Sequence, residues 1–245
     1  GSTYYGKRHV TSGSKAVNTV DPVGINGQSV YNGTPAVDRI FGGSGVGKST
    51  LSRALLGRGG IAKGTIWGLP VPSLLGNGVR LLPLLLRNCR RTRSLLWDES
   101  RHMVRLATLH RAPAGTALAG TRIVVYDEGP IFALAWLRGF GHEIMRSEAS
   151  EAWWQATLRD WATVMDVVVV VEASDVLLAR RIRTRPHAHE VKEFSDPEIV
   201  AWMARFRSAL SWVLAGLARE GGPAVLQVTT DREPPEMLAE RVGAA

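Results

Sequence analysis

The chain has one cysteine, Cys89, among its 245 residues, so it cannot form an internal disulfide. Low cysteine usage is typical of a reducing compartment, and we expect the protein to be cytoplasmic. Long apolar runs are also missing, since no run approaches the roughly 18 residues that cross a bilayer. Even the five consecutive valines at 167–171 lie between Asp166 and Glu172. The sequence therefore predicts neither a disulfide-stabilised scaffold nor a membrane protein.

The first 35 residues lack Leu, Glu, Phe and Met altogether, but they hold three of the four tyrosines. Gly, Ser, Thr, Asn and Val dominate this stretch, and nothing in it suggests chemistry. We interpret residues 1–35 as an N-terminal arm or an extension added for expression. Residues 36–245 form the predicted domain, which is long enough to bury one substantial core.

From residue 36 onward, apolar strand-like segments alternate with amphipathic helix-like segments. Strands are expected at 37–41, 65–71, 122–127, 166–173 and 224–230. Helices are expected at 47–56, 79–91, 99–111 with Asp98 as cap, from Pro130, 151–165, from Ser174 to about 184, from a Ser195/Glu198 capping box to about 220, and 235–242. Such alternation predicts an α/β fold, a parallel sheet with helices on both faces.

The segment from Gly42 to Ser49 reads GGSGVGKS and matches the phosphate-loop pattern G-x-x-x-x-G-K-[ST] at every fixed position. Backbone N–H groups that converge on phosphate oxygens require conformations that glycine tolerates, and the following helix adds its positive dipole end. We expect ATP to be bound by Gly43, Ser44, Gly45, Val46, Gly47, Lys48, Ser49 and Thr50. Lys48 would reach the β- and γ-phosphates, the Ser49 hydroxyl would ligate Mg²⁺, and Thr50 would contact the α-phosphate.

A second candidate group is the acidic pair Asp127-Glu128, which ends an apolar strand. Open α/β sheets bind ligands at the carboxyl ends of their strands, and Mg²⁺ prefers oxygen ligands. Adjacent strand residues point to opposite sides, so the two acids are expected to divide the work. We assign Asp127 to the metal and Glu128 to the acceptor hydroxyl as base, although the reverse assignment is also compatible with the sequence.

Basic residues concentrate in two segments. Residues 80–111 contain eight arginines and two acids, and residues 180–192 contain four arginines, one lysine and one acid. In the second segment Arg181 and Arg185 share a helix face before Pro186, which predicts an arginine-rich lid at about 181–195. Guanidinium groups match the charge that spreads over a migrating phosphoryl group. Aromatic residues are not interleaved with these basic residues, so nucleic acid is not the expected partner.

Together these motifs resemble the nucleoside and nucleotide kinases among the P-loop proteins, thymidylate kinase and the deoxynucleoside kinases in particular. The resemblance covers about residues 36–243. It implies a three-layer P-loop NTPase fold with five parallel strands in the order 2-3-1-4-5, and it places the loop of Asp231 and Arg232 against the adenine.

The chain departs from this family at the acceptor side. It has Asp127-Glu128-Gly129 where thymidylate kinases usually have Asp-Arg-Tyr. It also shows no convincing Glu at the end of the second strand, where deoxynucleoside kinases place their catalytic acid. Glu99 is the nearest candidate, although it fits the first turn of a helix better.

Three functions remain open from the sequence. The first is a kinase that uses ATP and Mg²⁺ to phosphorylate a nucleoside or nucleotide, with the basic segment 80–111 near an anionic acceptor. The second is a kinase of another metabolite, an antibiotic or a peptide. The third is a regulatory NTPase. The oligomeric state is not determined by the sequence, which is compatible with a homodimer.

Overall fold

The structure is a computed structural model of the whole chain, and it describes residues 36–42, 48–56, 61–67, 69–111, 123–127, 129–184, 193–230, 237–238 and 240. Of residues 36–42, 48, 49, 61, 62, 123 and 127, the backbone alone is described. The arm at 1–35 and the segment at 185–192 of the expected lid lie outside the described residues.

Five parallel strands form one sheet. They are β1 (Ala36–Gly42), β2 (Ile61–Gly64), β3 (Ile123–Asp127), β4 (Val167–Glu172) and β5 (Ala224–Thr229), and their order across the sheet is β2-β3-β1-β4-β5. All the pairings are parallel. Every carboxyl end therefore lies at the same edge of the sheet, and β1 is the central strand.

Helices connect these strands. They are α1 (Lys48–Leu56), α2 (Val71–Thr92), α3 (Trp97–Arg111), α4 (Pro130–Gly139), α5 (Glu151–Val164), α6 (Asp175–Thr184) and α7 (Asp196–Arg219), with two short 3-10 helices between α4 and α5. Met237, Leu238 and Glu240 are also helical. The α/β class expected from the alternation is confirmed.

Side chains that alternate along β4 separate the core into two clusters. Val168 and Val170 pack with α3, α4, α5 and most of α7. Val169 and Val171 point the other way and pack with α1, α6 and the first turns of α7. Because consecutive strand residues face opposite sides of a sheet, both faces of β4 are covered by helices.

The sequence-based prediction was wrong at the second strand. The expected strand at 65–71 is not one, since β2 ends at Gly64 and Val71 already begins α2. Helix α2 starts eight residues earlier than expected. Pro72 is compatible with this start, because it lies in the first turn, where a missing N–H costs nothing. Gly76 and Gly78 lie within this helix.

Asp98 is not the cap of α3, since the helix begins at Trp97 and Asp98 lies in its first turn. The other expected boundaries hold to within one or two residues, apart from those of the last helix at 235–242, which lie outside the described residues. The capping box of Ser195 and Glu198 at the start of α7 is confirmed, with the Ser195 N–H donating to Glu198 Oε2 at 2.7 Å.

Helix α2 leaves a stripe of apolar side chains exposed along one side. Its members are Val71, Leu75, Val79, Leu82 and Leu86. The opposite side of the helix packs against α3, where Asn77 Nδ2 donates to Thr108 Oγ1 at 3.2 Å. Helix α2 thus packs one side against α3 and exposes apolar side chains on another side.

Candidate functional site

The phosphate-loop sequence lies between a central strand and a helix, as the motif requires. Strand β1 ends at Gly42 and α1 begins at Lys48. Helix α1 is held against the sheet by Leu51 and Leu55, which are 1% and 2% exposed. Its first turn presents N–H groups without an intrahelical partner and the positive dipole end to the carboxyl edge. An anion at this position would be stabilised by both.

The individual loop contacts stay predictions. Gly43, Ser44, Gly45, Val46 and Gly47 lie outside the described residues, and so do the side chains of Lys48 and Ser49. Thr50, in the first turn of α1, is exposed and therefore accessible to a ligand.

The acidic strand end lies beside the strand that leads into this loop sequence. Strand β3 pairs with β1 in a register that sets Asp127 opposite Ile40, two residues before Gly42. The side chain of Asp127 and the whole of Glu128 lie outside the described residues, so the division of roles between them stays a prediction. Gly129 follows, and a Cβ there would come within 2.6 Å of Tyr126 Cβ. The turn from β3 into α4 therefore requires glycine.

Carboxylate and hydroxyl oxygens suit Mg²⁺ chemically, and the register brings the backbone of Asp127 beside the strand that leads to Ser49. These two residues therefore fit a nucleotide-bound Mg²⁺. Among the described residues, no group of three or more His, Cys, Asp or Glu side chains forms a separate metal site.

Arg181 lies on the other side of β1, at the carboxyl ends of β4 and β5. Its Nη1 donates to Thr230 Oγ1 at 3.1 Å. The Thr230 N–H in turn donates to the carbonyl of Glu172, the last residue of β4, at 2.9 Å. Arg185, Asp231 and Arg232 lie outside the described residues, and their nucleotide contacts stay predictions. The structure thus brings Arg181 to the carboxyl edge of the sheet, where β1 also ends.

Glu99 lies in the first turn of α3, as the sequence indicated. It is 9% exposed, and its Oε1 accepts the His142 N–H at 2.7 Å. The carboxylate thereby holds the turn that follows α4.

A cluster that the sequence did not reveal lies on α3, opposite the end of β2. Trp67 follows β2 by three residues, and the guanidinium carbons of Arg105 and Arg101 lie 4.2 Å and 5.8 Å from the centre of its ring. His102 stacks on Trp136 of α4 with ring centres 4.6 Å apart. We call Trp67, Arg101, His102, Arg105 and Trp136 the α3 cluster.

The orientation of α3 places this cluster near the carboxyl edge. Its first half contacts α4 and the turn after it, and α4 begins directly after the carboxyl end of β3. Its last turn contacts the end of α5, where His110 Nε2 lies 3.1 Å from the Asp160 carbonyl. Because α5 leads into the amino end of β4, α3 runs from the carboxyl edge toward the amino edge.

Burial lowers the pKa of two side chains in the α3 cluster. Burial lowers the pKa of His102 below its ordinary value, and the charges of Arg101 and Arg105 act in the same direction. The hydrogen bond between His102 Nδ1 and the Asp98 carbonyl, 2.7 Å long, opposes them. Burial, followed by the charge of Arg101, also lowers the pKa of Arg105. The cluster is therefore a neutral imidazole beside two crowded guanidinium groups.

The sequence indicates that the two arginines of the cluster share a helix face, but it does not reveal their contact with Trp67. Arg101 and Arg105 are four residues apart on a predicted helix, which puts them on one face. Trp67 is more than thirty residues away along the chain, in a segment that the sequence suggested was a strand. Four other arginines of the basic segment 80–111 lie exposed on α2; they are Arg80, Arg87, Arg90 and Arg91.

No helix in the described part of the chain is long and apolar enough to span a bilayer. No protein-family model matches the chain, and no curated protein matches its sequence.

Solved structures do match. Thymidylate kinase from Candida albicans is similar with a TM-score of 0.53 and 12% identity, over 86% of this chain and 90% of that one. Deoxyadenosine kinase from M. mycoides with bound dATP is similar with a TM-score of 0.50 and 12% identity, over 85% of this chain and 99% of that one. The resemblance to the P-loop nucleoside and nucleotide kinases is thus confirmed for the fold.

Proposed function

We propose that the chain is an ATP-dependent kinase that transfers the γ-phosphoryl group to a small-molecule acceptor, a nucleoside or a nucleotide. The observation that carries this proposal is the register of β1 and β3. It sets the backbone of Asp127 beside the strand that enters a complete phosphate-loop sequence. The similarity in fold to kinases of nucleosides and nucleotides supports the same class of acceptor.

On this proposal, the nucleotide lies across the carboxyl edge. The loop N–H groups and Lys48 bind its phosphates, and the loop of Asp231 and Arg232 contacts the adenine. Ser49 and Asp127 would hold Mg²⁺, which when bound neutralises charge on the β- and γ-phosphates. The adenine side then corresponds to β4 and β5, where the contact of Arg181 with Thr230 lies.

The acceptor would then lie on the side of β1 opposite the adenine, toward β3 and β2. There Glu128 accepts the proton of the acceptor hydroxyl as its oxygen forms a bond to the γ-phosphorus. The bond between the γ-phosphorus and the bridging oxygen breaks, and ADP leaves with that oxygen. Arg181 and Arg185 stabilise the negative charge of the migrating group.

A screen of acceptors tests the proposal. Purified protein with ATP and Mg²⁺ is offered nucleosides, nucleotides and cell-extract metabolites, and ADP formation is measured. A kinase shows slow hydrolysis alone and a large increase with one acceptor class. Rapid phosphate release that no acceptor changes would indicate a regulatory NTPase, and a response confined to other metabolites would indicate a different acceptor class.

A further inference from the structure

Helix α2 carries an apolar stripe that no described residue covers. Its five side chains are between 46% and 69% exposed; they are Val71, Leu75, Val79, Leu82 and Leu86. They recur every three or four residues, so they share one face of the helix over about 22 Å. The face toward the protein is formed by other residues, since Leu81, Leu84 and Leu85 pack against the core. Exposed apolar surfaces of this kind mark binding sites for a protein or a membrane.

The exposed surface of α2 beside the stripe is basic. Four exposed arginines lie on this helix; they are Arg80, Arg87, Arg90 and Arg91. At about 3.6 residues per turn they form a row along one flank of the stripe, with Arg90 next to it. No Asp or Glu occurs between residues 39 and 97, and none of the ion pairs between described residues includes these arginines. The helix therefore presents apolar and positively charged surface side by side.

Of the partners that can cover such a surface, an anionic bilayer matches it best. A second copy of the chain would bring the same arginines and no acid on its own α2. Another protein would need a groove shaped to hold one side of a helix whose other side packs against α3. A bilayer offers acyl chains to the stripe and negative headgroups to the arginines, and it needs no complementary shape. The turn after α2 also exposes Leu95 and Trp97, at 72% and 64%, and tryptophan is enriched at membrane interfaces.

We propose that α2 lies on the surface of a bilayer that contains anionic phospholipids, with the stripe against the acyl chains and the arginines at the phosphate groups. Such a contact is peripheral, so it needs no helix that crosses the bilayer. Attraction between the arginines and the headgroups adds to the burial of the stripe, so binding depends on both parts of the surface. The proposal goes beyond the proposed kinase function and does not rest on it.

The first test is co-sedimentation of the full chain with vesicles. One set is phosphatidylcholine with about one third phosphatidylglycerol, and the other is phosphatidylcholine alone. We expect binding to the anionic set to be at least tenfold tighter, and to weaken as the salt concentration rises. A wild type that does not bind the anionic set would overturn the proposal. Binding to polyglutamate without binding to vesicles would overturn it as well, and would indicate an acidic protein as the partner.

The second test removes apolar surface and keeps every charge. Leu75→Gln/Val79→Gln changes two exposed positions of the stripe to a residue that retains helix propensity, and an unchanged Tm checks that the variant folds. Its affinity for anionic vesicles should fall at least tenfold. The control Val176→Gln/Val200→Gln changes exposed valines on α6 and α7 and should bind as the wild type does. Equal affinity in the two double variants would contradict the role of the stripe.

The third test removes charge and keeps the stripe. Arg80→Gln/Arg90→Gln should weaken binding to anionic vesicles at least threefold and reduce its dependence on salt. Arg205→Gln/Arg219→Gln removes the same charge from exposed positions of α7, so it controls for the net charge of the protein. If this control lost as much affinity as the α2 variant, attraction would depend on the whole molecule and not on α2.

The only cysteine of the chain gives a local readout. Cys89 lies seven residues after Leu82 and three after Leu86, on the face of the stripe, and it is partly exposed. Anionic vesicles should slow its reaction with a maleimide at least threefold, and vesicles of phosphatidylcholine alone should not. Protein that binds vesicles with no change in this rate would be bound through another surface, which would refute the proposal.

Sedimentation velocity without lipid distinguishes the bilayer from a second copy of the chain. We expect Leu75→Gln/Val79→Gln and the wild type to have the same sedimentation coefficient, because the stripe does not hold two copies together. A wild-type dimer that this double variant dissociates would show that the stripe is an interface between copies, and it would overturn the assignment to a bilayer.

Discussion

Asp127 and Glu128 carry the residue-scale assignment with the sharpest consequence. If Glu128 orients and deprotonates an acceptor hydroxyl, Glu128→Gln should lower kcat by about 10²–10⁴. Mg²⁺-dependent binding of ATP should barely change in this variant, because the metal stays on Asp127. Asp127→Asn should instead weaken Mg²⁺-dependent binding.

Steady-state kinetics together with calorimetric titration of ATP, with and without Mg²⁺, separates the two roles. The opposite pattern, with weakened binding in Glu128→Gln and normal binding in Asp127→Asn, would show that the roles are exchanged. If both variants kept full activity, this strand end would not take part in the chemistry.

His102 gives a prediction about stability and pH. Burial lowers its pKa in the folded protein below the unfolded value of about 6.5. Between the folded and unfolded pKa values, the unfolded chain binds more protons, so stability rises with pH. We therefore expect the free energy of unfolding to fall as the pH is lowered through about 6.5, and to level off below the folded pKa of His102.

Urea unfolding from pH 8 to pH 5 measures this dependence. His102→Phe keeps an aromatic ring against Trp136 but does not titrate, so its stability should depend less on pH. His110→Phe, which also removes one histidine, is the control and should keep the wild-type slope. A slope in His102→Phe as steep as that of the wild type would contradict the assignment to this buried ring.

At the scale of elements, α6 follows β4 and contacts the residue after β5. Arg181 in its last turns reaches Thr230 after β5, so the helix end and the loop that follows β5 are held together. Arg181→Ala should depress kcat more than it raises the nucleotide KM, because the charge it stabilises develops in the transition state. Arg181→Lys should recover only part of the rate.

Thr230→Val tests the orientation of the Arg181 side chain separately from its charge. It removes the hydroxyl that Arg181 contacts but keeps the arginine, so its loss in kcat should be smaller than that of Arg181→Ala. Equal kcat in Arg181→Ala and the wild type would exclude this arginine from the transfer step.

The elements also show what the sequence can predict. Five valines flanked by acids identified β4, and the Ser195/Glu198 pair identified the start of α7, because these signals are local and agree with the tertiary contacts. The prediction was wrong at 65–78, a segment that holds three glycines and two prolines, residues that disfavour a helix in the absence of tertiary contacts. In the structure, contacts with α3 stabilise the first turns of α2 despite Gly76 and Gly78.

In the candidate site, too, the sequence reveals local signals but not contacts that form through packing. The phosphate loop and Asp127-Glu128 were found from the sequence, because each is a contiguous segment with a chemical signature. The α3 cluster was not, because the contacts of Trp67 with His102, and of His102 with Trp136, form only through packing between α3, the segment after β2, and α4. For the same reason, the contact of Glu99 with the His142 N–H could not be predicted from the sequence.

At the scale of the whole molecule, the composition of residues 1–35 predicts that the arm contributes little to stability. Deleting residues 3–34 should leave Tm within a few degrees, because little apolar area is lost from the core. Calorimetry of the shortened and full chains measures the difference. A shortened chain that does not fold would mean that the arm is an integral part of the domain.

The central claim is that phosphoryl transfer from ATP is coupled to an acceptor through the phosphate loop. The most direct measurement follows ADP and phosphorylated acceptor together, in the wild type, Lys48→Ala and the control Lys63→Ala. We predict one phosphorylated acceptor per ADP in the wild type and in Lys63→Ala. Lys48→Ala should lose most of its turnover and about 1.5–3 kcal/mol of ATP binding. ADP formation that no acceptor increases, or wild-type rates in Lys48→Ala, would contradict the account.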